Sequence, residues 1–241
     1  MTDIQLPKIN IICVTWNAEK DLDRCLQSIS EQTYPNIGVI IQDGGSTDRT
    51  IDIIKKWQDI IEYWESTPDQ GIYDAMNKAL THLTGEYVFF IGSDDYLYPE
   101  FSAMLFEDLK RPDTIYYANI IADGKKRNGK YSAYKLCHTT INHQSMIYPS
   151  VVFEKYQYDV KYKICADHLL NIQLFQDKDY QFEYVDKIIA FYCREGISSL
   201  QEDKLFKQDH KKIVKQHFSS WVYFRFLIRM YKKRRRAKKG Q

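Results

Sequence analysis

The sequence predicts an α/β fold: a mostly parallel sheet covered by helices. Three observations predict it. Short β-branched apolar runs alternate, along the first hundred residues, with segments whose apolar residues recur at helical spacing. The runs are apolar throughout, as in strands buried on both faces. Polar and acidic residues close each run, and open parallel sheets bind ligands outside the carboxyl ends of their strands.

Ile9 to Val14 (INIICV) reads as the first buried strand. Leu22, Cys25, Leu26 and Ile29 then give one apolar face to a helix over 19–32, and Tyr34-Pro35-Asn36 breaks it. Ile37 to Gln42 is a second strand. Gly44-Gly45-Ser46-Thr47-Asp48 is a turn with a capping signal, opening a helix with Ile51, Ile54, Trp57 and Ile61 on one side. A third strand lies in 60–66, a helix follows over 71–83, and Tyr87 to Ile91 is a fourth strand. Beyond residue 110 the pattern is less regular. Thr114 to Ala122 and Phe182 to Tyr192 read as strands, Asp123 to Gly129 as a β-turn or hairpin loop, and 165–177 as a helix.

The 241 residues suit one domain with an appendage, and 44% hydrophobic with 27% charged residues excludes a disordered or collagen-like chain. The net charge of +2 hides an asymmetry. Residues 211–241 hold twelve Lys/Arg and no acid, which leaves the first 210 residues with 22 basic against 32 acidic groups. Division into a body, 1–215, and a tail, 216–241, follows. Five scattered cysteines without a C-x-x-C fit neither a zinc site nor a disulfide framework. Cys13 and Cys165 read as small core residues. No signal peptide or run of eighteen apolar residues is visible, so a reducing cytosol is expected.

The polar strand ends are Thr15 and Asn17, Asp43, residues 66–69, and Ser93-Asp94-Asp95, and the topology gathers them on one edge. Adjacent Asp94 and Asp95 repel, which favours a hard cation beside them, Mn²⁺ or Mg²⁺, bridging to a diphosphate. A loop that turns and caps the next helix would also use Asp there. Asp43 can accept the imide N–H of a pyrimidine, with glycines allowing close backbone approach, or can simply cap its turn. There is no G-x-G-x-x-G and no G-x-x-x-x-G-K-[ST], which disfavours a nicotinamide dehydrogenase and a P-loop ATPase.

Six segments resemble family 2 glycosyltransferases of the GT-A fold, in the family's order and spacing, across roughly residues 8–176. They are IICVTWNAEKDLDRCLQSISEQTYPN, VIIQDGGSTDRT, PDQGIYDAMNKAL, GEYVFFIGSDDYLYP, NHQSMIYP and KICADHLLNIQL. The nearest subgroup resembles bacterial enzymes that build surface polysaccharide. The resemblance implies a Rossmann-like, mostly parallel sheet with helices on both faces. It places Thr15 and Asn17 on the nucleotide, Asp43 on the base, Asp69 and Asp74 around base and ribose, Asp94 toward the ribose and Asp95 on the metal. Asp167 in Ala166-Asp167-His168 matches the catalytic base, and His143-Gln144 the neighbourhood of acceptor or diphosphate. Gly92 and Met76 depart from the family's pattern, standing where relatives often carry an Asp or Asn and a phosphate-facing Arg. Lys78 or Arg194 would then help neutralise phosphate. Read from position alone, Asp167 could instead be an N-cap and His143 a polar loop residue. The remaining histidines (82, 138, 168, 210, 217) read as surface groups.

The expected reaction is inverting sugar transfer from a nucleoside-diphosphate sugar, a UDP-sugar, to a lipid-linked or surface-glycan acceptor. Two rivals stand beside it: a sugar nucleotidyltransferase, for which TWNAEKDLDRC is too acidic a triphosphate loop, and a non-catalytic sugar-nucleotide-binding adaptor. The tail carries an aromatic-rich stretch, FSSWVYFRFLIRMY, followed by a Lys/Arg run. It reads as an amphipathic basic helix lying on an anionic membrane at the cytoplasmic face. Packing on the body is the alternative reading. Nucleic acid is disfavoured as a partner because no recognition fold accompanies the charge.

Overall fold

The computed structural model describes residues 6–193 and 202–239. One nine-stranded sheet forms the centre, with strands β1 Ile9–Thr15, β2 Ile37–Asp43, β3 Ile61–Ser66, β4 Tyr87–Gly92, β5 Tyr96–Leu97, β6 Thr114–Ala122, β7 Lys125–Arg127, β8 Met146–Pro149 and β9 Gln181–Phe191. Their order is β3-β2-β1-β4-β8-β6-β9-β5, with β7 attached to β6. β3, β2, β1 and β4 run parallel. β8 is antiparallel to both β4 and β6, and β9 pairs parallel with β6. The helices are α1 Leu22–Ser30, α2 Thr50–Lys56, α3 Ile72–Leu80, α4 Glu100–Glu107, α5 Ala133–Leu136, α6 Val152–Lys155, α7 Ala166–Gln176, α8 Lys204–His217 and α9 Ser220–Lys239.

The period of two in each strand sorts the core into two layers. Ile12, Ile40, Val88, Phe90, Met146 and Tyr148 face one side, where Tyr73 and Met76 of α3, Leu170 of α7 and Val214 of α8 cover them. Ile11, Cys13, Ile41, Phe89, Ile91 and Ile147 face the other, against Leu26 of α1, Ile54 of α2 and Phe101 of α4. Helices on both faces follow from strands that are apolar on both sides.

Some expectations change. The helix opened by the Gly-Gly turn stops at Lys56, and Ile61 begins β3. Cys165 is only half-buried, at the entrance to α7. The histidines are not all on the surface. His168 is buried, with Nε2 2.6 Å from the Leu136 carbonyl, and His82 stacks on Tyr63. His138 and His210 both lie against Phe226 of α9, centroids 5.2 Å away in each case. The tail region drawn from the sequence therefore comprises the end of α8 and an α9 whose Phe226 is 1% exposed.

That contact predicts acid sensitivity. Burial, and then Arg229 for His138 and His168 for His210, push each imidazole down to about 4. The unfolded chain takes up these protons near pH 6.5, so the stabilisation is complete above 6.5 and is lost as pH falls toward 4. The melting temperature should therefore drop by several degrees across that window. The double variant His138→Phe/His210→Phe should flatten the profile. A double variant with the wild-type profile would place the acid sensitivity elsewhere.

Candidate active site

The site forms because the strand ends are level. Thr15 pairs in register with Asp43, Asp43 with Ser66, and Val14 with Gly92. Each parallel strand thus brings its carboxyl end to the same edge. Thr15 is buried there, and its hydroxyl has no hydrogen-bond partner among the described residues. Asn17 takes a positive φ of 49°. Its N–H donates to Ser46 Oγ at 2.7 Å, and its side-chain oxygen accepts Thr47 N–H at 2.9 Å. Asn17 therefore ties the loop after β1 to the loop after β2.

Asp43 is fully buried and builds that second loop. Its Oδ2 accepts N–H from Gly45 and Ser46 at 3.0 and 2.8 Å and the Ser66 hydroxyl at 2.6 Å, and its Oδ1 accepts the Ser46 hydroxyl. A carboxylate offers about four acceptor positions, so the turn occupies most of this one. Asp69 Oδ1 accepts Gly71 N–H at 2.7 Å, while its Oδ2 lies over Gly44, where an added Cβ would stand 2.6 Å from it. Gly44 is thus what lets the loop after β3 close on the loop after β2. Asp74 accepts Gln70 N–H at 3.0 Å, and Lys78 donates to the Pro68 carbonyl at 2.8 Å. Those two residues brace the 68–71 loop. Met76 is a core residue at 0% exposure, consistent with its departure from a phosphate-facing role. Arg194 lies outside the described residues.

Asp94 and Asp95 converge. A Cβ on Gly92 would stand 2.8 Å from Asp95 Oδ2 and 2.9 Å from Asp94 Oδ1, so two carboxylate oxygens crowd one point that only glycine leaves open. Asp95 is fully buried and accepts N–H from Gly92 at 3.1 Å and Cys193 at 2.8 Å. Burial, and then the Asp94 charge, push its carboxyl up to about 7. Asp94 is also raised, chiefly by burial. Arg24 donates to the Asp94 carbonyl at 2.9 Å and holds this loop from α1.

Asp167 stands in the first turn of α7. The N-cap is Cys165, so capping is not its task. Asp203 supports the helix entrance by accepting N–H from Ile164 and Cys165 at 3.0 and 3.3 Å. Asp167 Oδ1 accepts His168 N–H at 2.7 Å and lies 3.1 Å from the Tyr73 hydroxyl, while Oδ2 lies 3.8 Å from His143 Nδ1. His143 is 9% exposed, and its Nε2 has no hydrogen-bond partner among the described residues. Neighbouring Gln144 is buried as well. His143 thus reaches Asp167 from a turn seated on β4, the strand that leads into Asp94 and Asp95.

The family model described as "Glycosyl transferase family 2" matches residues 10–178, the stretch that carries Thr15, Asp43, Asp94, Asp95, His143 and Asp167. The chain belongs to that family. The glycosyltransferase is 30% identical, over 213 residues, to the "PGL/p-HBAD biosynthesis glycosyltransferase" of Mycobacterium bovis, covering 83% of this chain and 82% of the relative. Its fold resembles S. aureus TarS 1-349 in complex with UDP-GlcNAc, with a TM-score of 0.63, 21% identity and coverage of 86% and 64% of the two chains. It also resembles the mannosyltransferase PcManGT from Pyrobaculum calidifontis in complex with GDP-Man and Mn²⁺, with a TM-score of 0.64, 17% identity and coverage of 94% and 65%. These likenesses confirm the GT-A-like α/β fold of the glycosyltransferase.

Three supporting residues carry no chemical signal in the sequence: Arg24, Ser66 and Tyr73. Tyr73 sits inside the GIYDAMNK segment, and only its helical position facing α7 reveals its part. Burial, and then the Asp167 charge, hold its hydroxyl well above the usual phenol range, so it stays protonated beside that carboxylate.

Proposed function

We propose that this glycosyltransferase moves a sugar, with inversion, from a UDP-sugar to a lipid-linked or surface-glycan acceptor at the cytoplasmic face of the membrane. The observation that carries the reading is the arrangement around His143. One buried carboxylate, Asp167, has one oxygen held by its own helix and the other 3.8 Å from His143 Nδ1, while the turn that carries His143 packs on β4, the strand that leads into Asp94 and Asp95.

In this reading Thr15, Asn17, Asp43 and Asp69 shape the nucleotide pocket, and Asp74 and Lys78 keep its 68–71 wall in place. Asp167 Oδ2 accepts the proton of the acceptor hydroxyl as that oxygen bonds to the anomeric carbon and the nucleoside diphosphate leaves. General-base help of this kind is typically worth about 10²–10⁴-fold. His143 and Gln144 line the side where acceptor and diphosphate meet.

The residues fit a divalent cation. Two carboxylate oxygens converge at Gly92, and the raised Asp95 is relieved by a positive charge beside it. Among the described residues no cluster of three or more metal-ligating side chains exists, so Asp94 and Asp95 would hold the ion together with the diphosphate, as Mg²⁺ commonly is held. Bound there, the cation supplies Lewis-acid neutralisation of diphosphate charge.

No helix among the described residues is long and apolar enough to cross a membrane. Membrane contact in this reading comes from α9, whose Trp221, Phe224 and Tyr231 are exposed. Slow hydrolysis over a panel of nucleotide sugars, with and without Mn²⁺, tests the donor and the cation together. The expected result is turnover of a UDP-sugar that disappears on chelation. Hydrolysis of a different nucleotide's sugars, or turnover indifferent to chelator, would overturn the corresponding part.

A further inference from the structure

Helix α9 divides its surface into three strips. Val222, Tyr223, Phe226, Leu227 and Met230 pack against the body. Trp221, Phe224, Ile228 and Tyr231 are exposed and recur at i, i+3, i+7 and i+10, which makes one apolar stripe on the outer side. Between the two, Arg225, Arg229, Lys232 and Arg236 recur at i, i+4, i+7 and i+11, forming a cationic ridge.

The ridge is also the wall of a cavity. Arg225, Arg229, Lys232, Lys233 and Arg236, with Tyr134 of α5, line an open cavity of about 550 Å³, and among the described residues no acidic side chain lines it. Ile228 of the apolar stripe borders the same cavity. The Arg225 guanidinium lies over the Tyr134 ring, 4.0 Å from its centroid, which fixes the plane of that fork. Five cations around one hollow repel one another unless an anion enters. Guanidinium forks match phosphate oxygens in pairs. An exposed apolar stripe on the rim suits a phosphate that arrives attached to hydrocarbon, and has no partner when the phosphate is free.

We infer that the cavity between α5 and α9 binds the phosphate headgroup of an anionic membrane lipid while the apolar stripe enters the acyl boundary. The inference rests on the membrane-docking reading above and adds a defined headgroup site to it. Because α9 is seated on the body through Phe226, a lipid held there would fix the body's orientation on the membrane surface.

Sedimentation of the full chain with phosphatidylcholine vesicles, with and without phosphatidylglycerol, tests it. Lys232→Gln/Lys233→Gln/Arg236→Gln removes three exposed cavity cations. Lys211→Gln/Lys212→Gln/Lys215→Gln removes the same charge from exposed positions on α8. The first should weaken partition to phosphatidylglycerol vesicles on the order of a hundredfold, and the second by less than about threefold. Equal losses, or wild-type binding by the cavity variant, overturn the headgroup site. Trp221→Ser/Phe224→Ser examines the docking reading separately. If this variant sediments like wild type, docking through α9 fails. If it is released while the cavity variant is not, docking stands and the headgroup assignment falls. Calorimetric titration with inorganic diphosphate provides the last arm. Saturable binding abolished in the cavity variant, with vesicle binding unchanged, would assign the hollow to a soluble anion and overturn the inference.

Discussion

Replacing Asp167 by Asn is expected to reduce kcat by about 10²–10⁴-fold while leaving nucleotide affinity near wild type. Asn keeps the shape and can still accept from His168 N–H and the Tyr73 hydroxyl, so the helix entrance should survive. What it loses is the basic oxygen facing His143. Single-turnover transfer measured beside UDP binding separates the two effects. Transfer at the wild-type rate would remove Asp167 as the base. Loss of binding together with rate would make it a structural residue. Tyr73→Phe should have a smaller effect, since it removes a hydroxyl that lies 2.7 Å from the Ile164 carbonyl and 3.1 Å from the carboxylate and leaves the base itself.

Asp95→Asn is expected to abolish Mn²⁺-dependent activity and also to stabilise the metal-free protein. In the folded state the Asp95 carboxyl is pushed up to about 7, whereas the unfolded chain releases that proton near 4. The folded protein therefore holds the proton longer, and its stability falls as pH rises from about 4 to 7. The cost above pH 7 reaches at most about 4 kcal/mol by linkage. The variant should melt higher than wild type at pH 8 without metal, and no higher at pH 4. Addition of Mn²⁺ with UDP should raise the wild-type melting temperature and leave the variant unchanged. A wild-type protein indifferent to Mn²⁺ would dissociate Asp95 from any metal. Gly92→Ala probes the same point without removing a carboxylate, because its methyl group would press on both Asp94 and Asp95 oxygens.

The half of the fold that handles the donor was legible because period and chemistry coincide there. β1, β2 and β4 are largely apolar on both faces, and each ends on or just before a residue with an obvious polar use: Thr15, Asp43 and the Asp94-Asp95 pair. The other half was less legible for physical reasons. β8 is only four residues long, too short for a period, and its importance lies in the His143-Gln144 turn that precedes it. β5 is two residues that become a strand only by pairing with β9, distant in the chain. The buried histidines were misplaced because one polar residue at a helical position does not disclose its neighbours; Phe206 and Phe226 supply them. Asp43 was recognised as important, and three of its four internal hydrogen bonds come from its own turn, but the fourth, from Ser66, depends on the register of β2 and β3.

The placement of β8 has a consequence for biosynthesis. β4 is apolar along its length, and on one side its partner is β1, already made. On its other side the partner is Met146–Pro149, which leaves the ribosome much later. Until then the nascent chain presents an open edge rich in aromatic and branched residues, the kind of edge on which chains cross-pair. Slow or truncated synthesis past Gly92 should therefore favour aggregation. Holdase chaperones would be most useful in that interval, before β8 closes the edge.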